Sequence, residues 1–227
     1  MKYVVIGLGL YGSKCASILT SMGHEVLGID NDPETLEEFK ESFTSVIKMD
    51  TTSANAVRTL PLDDIDAVIV AIGEDVGASI LTLSILKNLK AKRIIGRAIN
   101  ETHHNILKQI GIEEVVLPLE DSAAHLASVL QLRGVISFTE LSNGYAIAET
   151  PVPQYFVGHL PDTIDLEERF HIKVVAIKHA PREGVLRSIY KRDYNTDIFF
   201  DLKNPFVSTD ILVLAGKVSD IKRFIGS

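Results

Sequence analysis

The sequence has 227 residues, of which 46% are hydrophobic and 23% charged, enough apolar material for one ordinary core or two small ones. A formal net charge of −7 argues against nucleic acid as a partner, because an acidic surface repels a phosphate backbone. A single cysteine, Cys15, excludes an intrachain disulfide and fits a reducing cytosol.

No run approaches the roughly 18 consecutive apolar residues of a membrane helix. Residues 1–7 lead directly into a strand-like pattern, without the charged, apolar and cleavage regions of a secretory leader. The expectation is a cytoplasmic chain without direct membrane insertion.

Residues 3–6 predict a buried strand, 11–21 a helix with Cys15, Ile18, Leu19 and Met22 on one face, and 25–29 a second strand. Asp32 and Pro33 suit the N-cap and first position of a second helix. Strand patterns follow at 44–49, 67–71, 93–96 and 114–117. Helical patterns separate them at 53–60, 76–89 and 102–110, the last closed by Gly111. The run at 67–71 is wholly apolar, as in a strand covered on both faces. Strands alternating with helices imply right-handed βαβ units and an α/β class, a Rossmann-like doubly wound parallel sheet.

Beyond residue 117 the pattern changes. A helix is predicted over 121–132, then strands at 137–141 and 145–150 joined at Asn143-Gly144, a strong hairpin dipeptide. Pro151 and Pro153 interrupt the pattern. A helix at 166–170, strands at 172–178 and 210–215, and a helix at 217–224 complete a small α+β unit. The expected organisation is a nucleotide-binding lobe over 1–118, a crossover helix and hinge over 119–136, and a small lobe over 137–227.

The sharpest motif is Gly7-Leu8-Gly9-Leu10-Tyr11-Gly12. It follows a strand, opens a helix, and is followed by an acid, Asp30, 18 residues beyond its last glycine. That context is the dinucleotide-binding fingerprint. Gly7 permits the tight turn, Gly9 lets backbone approach phosphate, and Gly12 lets the helix pack closely on the sheet. The helix N-terminus offers free N–H groups to phosphate. Asp30 suits a ribose diol and repels a 2′-phosphate. Residues at the carboxyl ends of the other strands face the same crevice: Asp50 and Thr51, Ile72 and Gly73, and Arg97, whose guanidinium suits phosphate. Plainer roles stand beside these: a solvated turn for Asp30, a helix cap near Asp50 and Thr51, a surface salt bridge for Arg97.

Catalytic groups are missing. No His–carboxylate constellation, nucleophile elbow or P-loop lysine is evident. His103 and His104 point about 100° apart on a helix, too divergent to share one metal, and fit the first turn of a partly exposed helix. Glu120 and Asp121 suit the start of a helix or, alternatively, a divalent-cation contact through Glu120. A non-enzymatic binding protein is the expectation. The rivals are a small NAD-dependent oxidoreductase and a nucleotide-sensing module of another cation transporter.

Several segments together resemble the cytosolic regulatory subunits of Trk/Ktr potassium uptake systems, built from RCK domains (regulators of potassium conductance). They are YVVIGLGLYG, DAVIVAIGED at 66–75, HHNILKQIGIEEVVLP at 103–118, FVGHLPDTIDLEERFHIKVVAIKH at 156–179 and STDILVLAGKVSDIKRF at 208–224. The resemblance covers essentially the whole chain. It implies a membrane-embedded potassium transporter subunit as partner and a homodimer assembling to an octameric ring at the inner face of the plasma membrane. The implied ligand is an adenine nucleotide, ADP/ATP or NAD(H), on Gly7, Leu8, Gly9, Tyr11, Gly12, Asp30, Thr51, Ile72, Gly73 and Arg97. Some members also bind a cyclic dinucleotide in the small lobe.

This chain departs from the family pattern at a few positions. Tyr11 stands where many ATP-responsive members have arginine. Leu119 stands where those members often carry a cation-holding glutamate, with Glu120 one residue later. Both changes point away from ATP–metal activation. Residues 180–206 form a longer, unusual stretch.

Overall fold

The computed structural model describes residues 1–132, 134–180, 194–201 and 203–226. The chain forms two compact units, Met1–Asp121 and Ser122–Ser227.

The first unit runs β1 (Lys2–Ile6), α1 (Leu10–Ser21), β2 (Glu25–Asp30), α2 (Pro33–Phe39), β3 (Ser45–Lys48), α3 (Ala54–Val57), β4 (Ala67–Val70), α4 (Val76–Asn88), β5 (Ile94–Arg97), α5 (Glu101–Gln109) and β6 (Glu114–Val116). The strands form one sheet in the order β3-β2-β1-β4-β5-β6, and every pairing is parallel. The order reverses between β1 and β4, which leaves a crevice at their carboxyl ends.

Side chains alternate across the sheet with period two, and this divides the apolar strands between two cores. Val4 and Ile6 of β1 join Val68 and Val70 of β4, under Val57, Leu83, Leu86 and Leu107 from α3, α4 and α5. Val5 and Ile69 face the other way, against Ala16 of α1 and Leu36 of α2. Helices therefore cover both faces. The central strand β4 is buried throughout, as its apolar run predicts.

Helix starts follow local chemistry. Asp32 caps α2 by accepting from the amides of Glu34 and Thr35 at 3.1 and 3.3 Å, with Pro33 in the first turn. Asp75 accepts from the Ala78 amide at 2.9 Å, and Asn100 from the His103 amide at 2.9 Å. Gly111 (φ +84°) closes α5, with its amide on the Lys108 carbonyl at 2.9 Å.

The buried face of α1 differs from the expected one. Gly12 and Ala16 are buried, Cys15 and Leu19 are partly so, and Ile18 and Met22 are exposed. Gly12 sets the face: a Cβ there would lie 1.8 Å from the Gly7 carbonyl oxygen. The side that meets the sheet is thus fixed at residues 12, 15, 16 and 19, and Ile18 lies about 200° from Ala16.

The helix α6 (Pro118–Gln131) begins three residues before its expected start. Proline is well suited to a first helical position. Beyond it come β7 (Ser137–Glu140), β8 (Tyr145–Pro151), α7 (Pro161–Ile164), α8 (Leu166–Phe170), β9 (Ile172–His179), β10 (Asn195–Asp197), β11 (Ile211–Lys217) and α9 (Val218–Gly226). The second unit holds a sheet in the order β10-β9-β11-β8-β7, with antiparallel pairings.

Asn143 (φ 61°) and Gly144 (φ 75°) do turn a hairpin between β7 and β8. The loop is the three residues 142–144 that the predicted strand bounds leave, closed by the Leu141 amide on the Tyr145 carbonyl at 2.7 Å. Phe156, Phe170 and Phe224 form the aromatic centre of this unit, with Phe156 and Phe224 stacked at 5.2 Å between centroids. The four-residue α7 and three-residue β10 are not evident in the sequence pattern. The unusual stretch at 180–206 lies partly outside the described residues.

Candidate functional site

The site is built where β1 ends. Gly7 takes φ +87°, its amide bonds to the Ile29 carbonyl at 2.8 Å, and a Cβ would meet the Ile72 amide nitrogen at 3.0 Å. Only glycine fits that turn without strain. Gly9 is different. It is the N-cap of α1 with extended backbone and no side-chain cap, and a Cβ there would have nothing within 4 Å. The backbone at Gly9 thus borders open space, and the first turn of α1 carries no acid. A helix start of this kind presents unpaired N–H groups and a partial positive charge.

Asp30 ends β2 beside the turn. Its Oδ2 accepts from the Leu8 amide at 2.7 Å and its Oδ1 from the Asp32 amide at 3.0 Å. The carboxylate is therefore fixed in orientation while each oxygen keeps a second lone pair for a ligand.

A cleft of about 600 Å³ opens over these elements, bordered by Gly7, Gly9, Asp30, Asp50, Thr51, Ile72, Gly73 and Arg97 among others. Asp50 accepts from the Thr52 hydroxyl at 2.6 Å and the Thr52 amide at 3.0 Å. The hydroxyl bond foremost holds its carboxyl below the ordinary aspartate range. Thr51 is buried, with its Oγ1 2.9 Å from that of Thr82 on α4. Arg97 leaves β5 and donates from Nη1 to the Ala71 carbonyl at 3.3 Å. Its guanidinium lies so close to Gly73 that a Cβ on that glycine would be 2.5 Å from Nη1. Its buried Nε has no acceptor.

Three predicted residues do not border the cleft. The Leu8 side chain is buried in the core, 3.0 Å from where a Cβ on Gly28 would sit, so only its amide belongs to the turn. Gly12 is a packing residue. The Tyr11 ring lies under the Arg97 guanidinium, 5.3 Å from centroid to Cζ, and burial pushes its phenol pKa up. Tyr11 thereby supports the cation over the cleft, a role that depends on contact between α1 and β5 and leaves no local trace in the sequence. Asp32, expected only as a helix cap, also borders the cleft, as do Glu74 and Asp75, to which the sequence pattern gives no role.

Glu120 stands in the first turn of α6, in line with its helix-start reading, whereas His103 departs from expectation. Glu120 lies in a separate small depression with Arg97, Ala98, Ile99 and Leu117. Among the described residues no group of three or more His, Cys, Asp or Glu is placed to hold a metal. His103, expected in a partly exposed turn, is buried, and neither ring nitrogen has a partner. Leu107, one turn on, packs against Gly96, which turns the His103 side of α5 toward the sheet.

Residues 3–118 match the family model of the TrkA-N domain. The chain is 30% identical to Ktr system potassium uptake protein C of Bacillus subtilis (strain 168) over 223 residues, 98% of this chain and 95% of that one. The chain belongs to the TrkA-N family. Ktr system potassium uptake protein A of the same organism is equally similar, 30% identical with the same coverage.

Among solved structures, the GsuK RCK domain aligns over 100% of this chain and 48% of its own, with a TM-score of 0.66 and 16% identity. The chain thus spans about half the length of that relative. A GsuK channel bound to NAD aligns with a TM-score of 0.65 and 16% identity, over 100% of this chain and 39% of that one. At these identities the likeness concerns the fold. No helix among the described residues is long and apolar enough to cross a membrane.

Proposed function

We infer that this TrkA-N family chain is the nucleotide-binding regulatory subunit of a Ktr-type potassium uptake system. The observation that carries the reading is the cleft at the strand-order reversal. One wall is the open, acid-free helix start at Gly9. Facing the same cleft is Arg97, with a buried Nε lacking an acceptor. An anionic group fits both, and the fixed Asp30 carboxylate suits a ribose diol. The ligand class is an adenine nucleotide, ADP/ATP or NAD(H). Near full-length likeness to two Ktr potassium uptake proteins supports the transport role.

The residues divide by task. Gly7 and Gly9 shape the phosphate cradle, Asp30 holds ribose, and Asp50 and Thr51 border the adenosine side. Ile72 and Gly73 form the floor, and Arg97 neutralises phosphate. Leu8, Tyr11 and Gly12 hold these parts in place. Binding groups without acid–base or nucleophilic partners give affinity but no rate, so the role is sensing rather than turnover. A nucleotide shifts the subunit between states by its differential affinity for them. The partner is a membrane-embedded potassium transporter subunit, reached from the cytoplasmic side by homodimers assembled into an octameric ring.

Rubidium uptake into proteoliposomes holding a Ktr-type membrane subunit and this chain tests the reading. Uptake should depend on added nucleotide and lose that dependence with Gly9→Asp. Uptake indifferent to every adenine nucleotide and to the presence of the chain would overturn it.

A further inference from the structure

The same cleft is acidic to a degree that its phosphate cradle does not require. Asp30, Asp32, Asp50, Glu74 and Asp75 border it, and Arg97 is the one cation among its lining residues. Four of the five carboxylates have structural work. Asp30 holds the Leu8 and Asp32 amides. Asp32 caps α2, Asp50 holds Thr52, and Asp75 caps α4. Glu74 makes no hydrogen bond or ion pair among the described residues. It lies exposed between Gly73 and the cap of α4, where a second helix start would otherwise favour an anion. Of the two helix starts that meet the cleft from β1 and β4, one is free of acid and the other is preceded by two.

We propose that this charge pattern makes the cleft selective for a weakly charged dinucleotide of the NAD type over ADP and ATP, with Glu74 as a specificity-determining residue. The proposal rests on the reading of the cleft as a nucleotide site. At neutral pH the net charge is about −1 for oxidised NAD, about −3 for ADP and about −4 for ATP, since a terminal phosphate loses its second proton near pH 6. Arg97 and the α1 start compensate one pyrophosphate. Each charge beyond that adds to the repulsion from the five lining carboxylates, of which Glu74 alone has no donor among the described residues; such repulsion acts over about one Debye length, roughly 8–10 Å at ordinary ionic strength. Oxidised NAD instead esterifies the far end of its pyrophosphate with a second ribose that carries a cationic ring, so it brings no terminal phosphate dianion to a cleft bordered by Glu74 and Asp75.

Titration calorimetry on the full chain, in buffer with a metal chelator, separates the outcomes. The wild type should bind oxidised NAD about tenfold or more tightly than ATP at low salt, and added salt should narrow the gap by screening. Glu74→Gln should tighten ATP about three- to fivefold while moving NAD less than about twofold, and Glu74→Lys should do more in the same direction. Glu74 anchors nothing, so circular dichroism should show both variants folded. ATP binding as tight as NAD in the wild type, or an unchanged NAD-to-ATP ratio in both variants, overturns the preference and leaves the nucleotide site standing. No binding of NAD, ADP or ATP overturns the nucleotide reading itself.

Discussion

The Leu8 amide donates to the Asp30 carboxylate at 2.7 Å, which ties the glycine turn after β1 to the acid that ends β2. The residue suited to a ribose is thus also a brace of the cleft. Asp30→Ala should destabilise the first unit by about 1–3 kcal/mol without ligand, the scale of losing hydrogen bonds to a charged group, and should also weaken nucleotide binding. Asp30→Asn keeps one carbonyl acceptor and should cost less. Urea unfolding followed by circular dichroism checks both variants.

The last two glycines of the motif, Gly9 and Gly12, should separate folding from binding. At Gly12 a Cβ would fall 1.8 Å from the Gly7 carbonyl, so Gly12→Ala should cost about 1–3 kcal/mol of stability, as overpacking does. Gly9 borders open space, so Gly9→Asp should leave the unfolding midpoint nearly unchanged and abolish nucleotide binding through its charge. Thermal unfolding with calorimetry distinguishes the two.

Tyr11 offers a test of indirect support. It does not border the cleft, yet its ring carries the Arg97 guanidinium. Tyr11→Leu removes a contact worth about 0.5–2 kcal/mol. It should weaken nucleotide affinity several-fold, while Tyr11→Phe, which keeps the ring, should bind as the wild type does. Affinities measured on the two variants decide the matter.

His103 predicts a pH dependence. Burial pushes its pKa below the ordinary histidine value, so the folded chain resists a proton that the unfolded chain accepts. The stability is fully present above about pH 6.5, the unfolded value. It falls as pH drops from there toward the folded value, by at most about 1.4 kcal/mol per pH unit. His103→Leu should remove this slope at little cost at neutral pH, because neither ring nitrogen has a partner. Unfolding midpoints of the two proteins between pH 5 and pH 8 provide the comparison.

Much of the first unit was legible in the sequence because two periodic signals coincide there. Strands such as 67–71 are apolar throughout, a helix begins at Asp32, and the glycines of the turn stand between a strand pattern and a helix pattern. The face of α1 was not legible: Ile18 and Met22 are apolar, but the close approach at Gly12 outweighs them in orienting the helix. Burial of His103 and the stacking of Arg97 on Tyr11 depend on neighbours from other elements. In the second unit, α7 and β10 are too short to show a period. The Asn143-Gly144 turn was legible as a turn, with the length that the predicted strand bounds leave.

The central claim is that the cleft at the end of β1 binds an adenine nucleotide. Titration of the purified full chain and its Gly9→Asp variant with oxidised NAD tests it most directly. Saturable binding by the wild type and none by an equally folded variant is the predicted result; binding unchanged by the substitution would contradict the account.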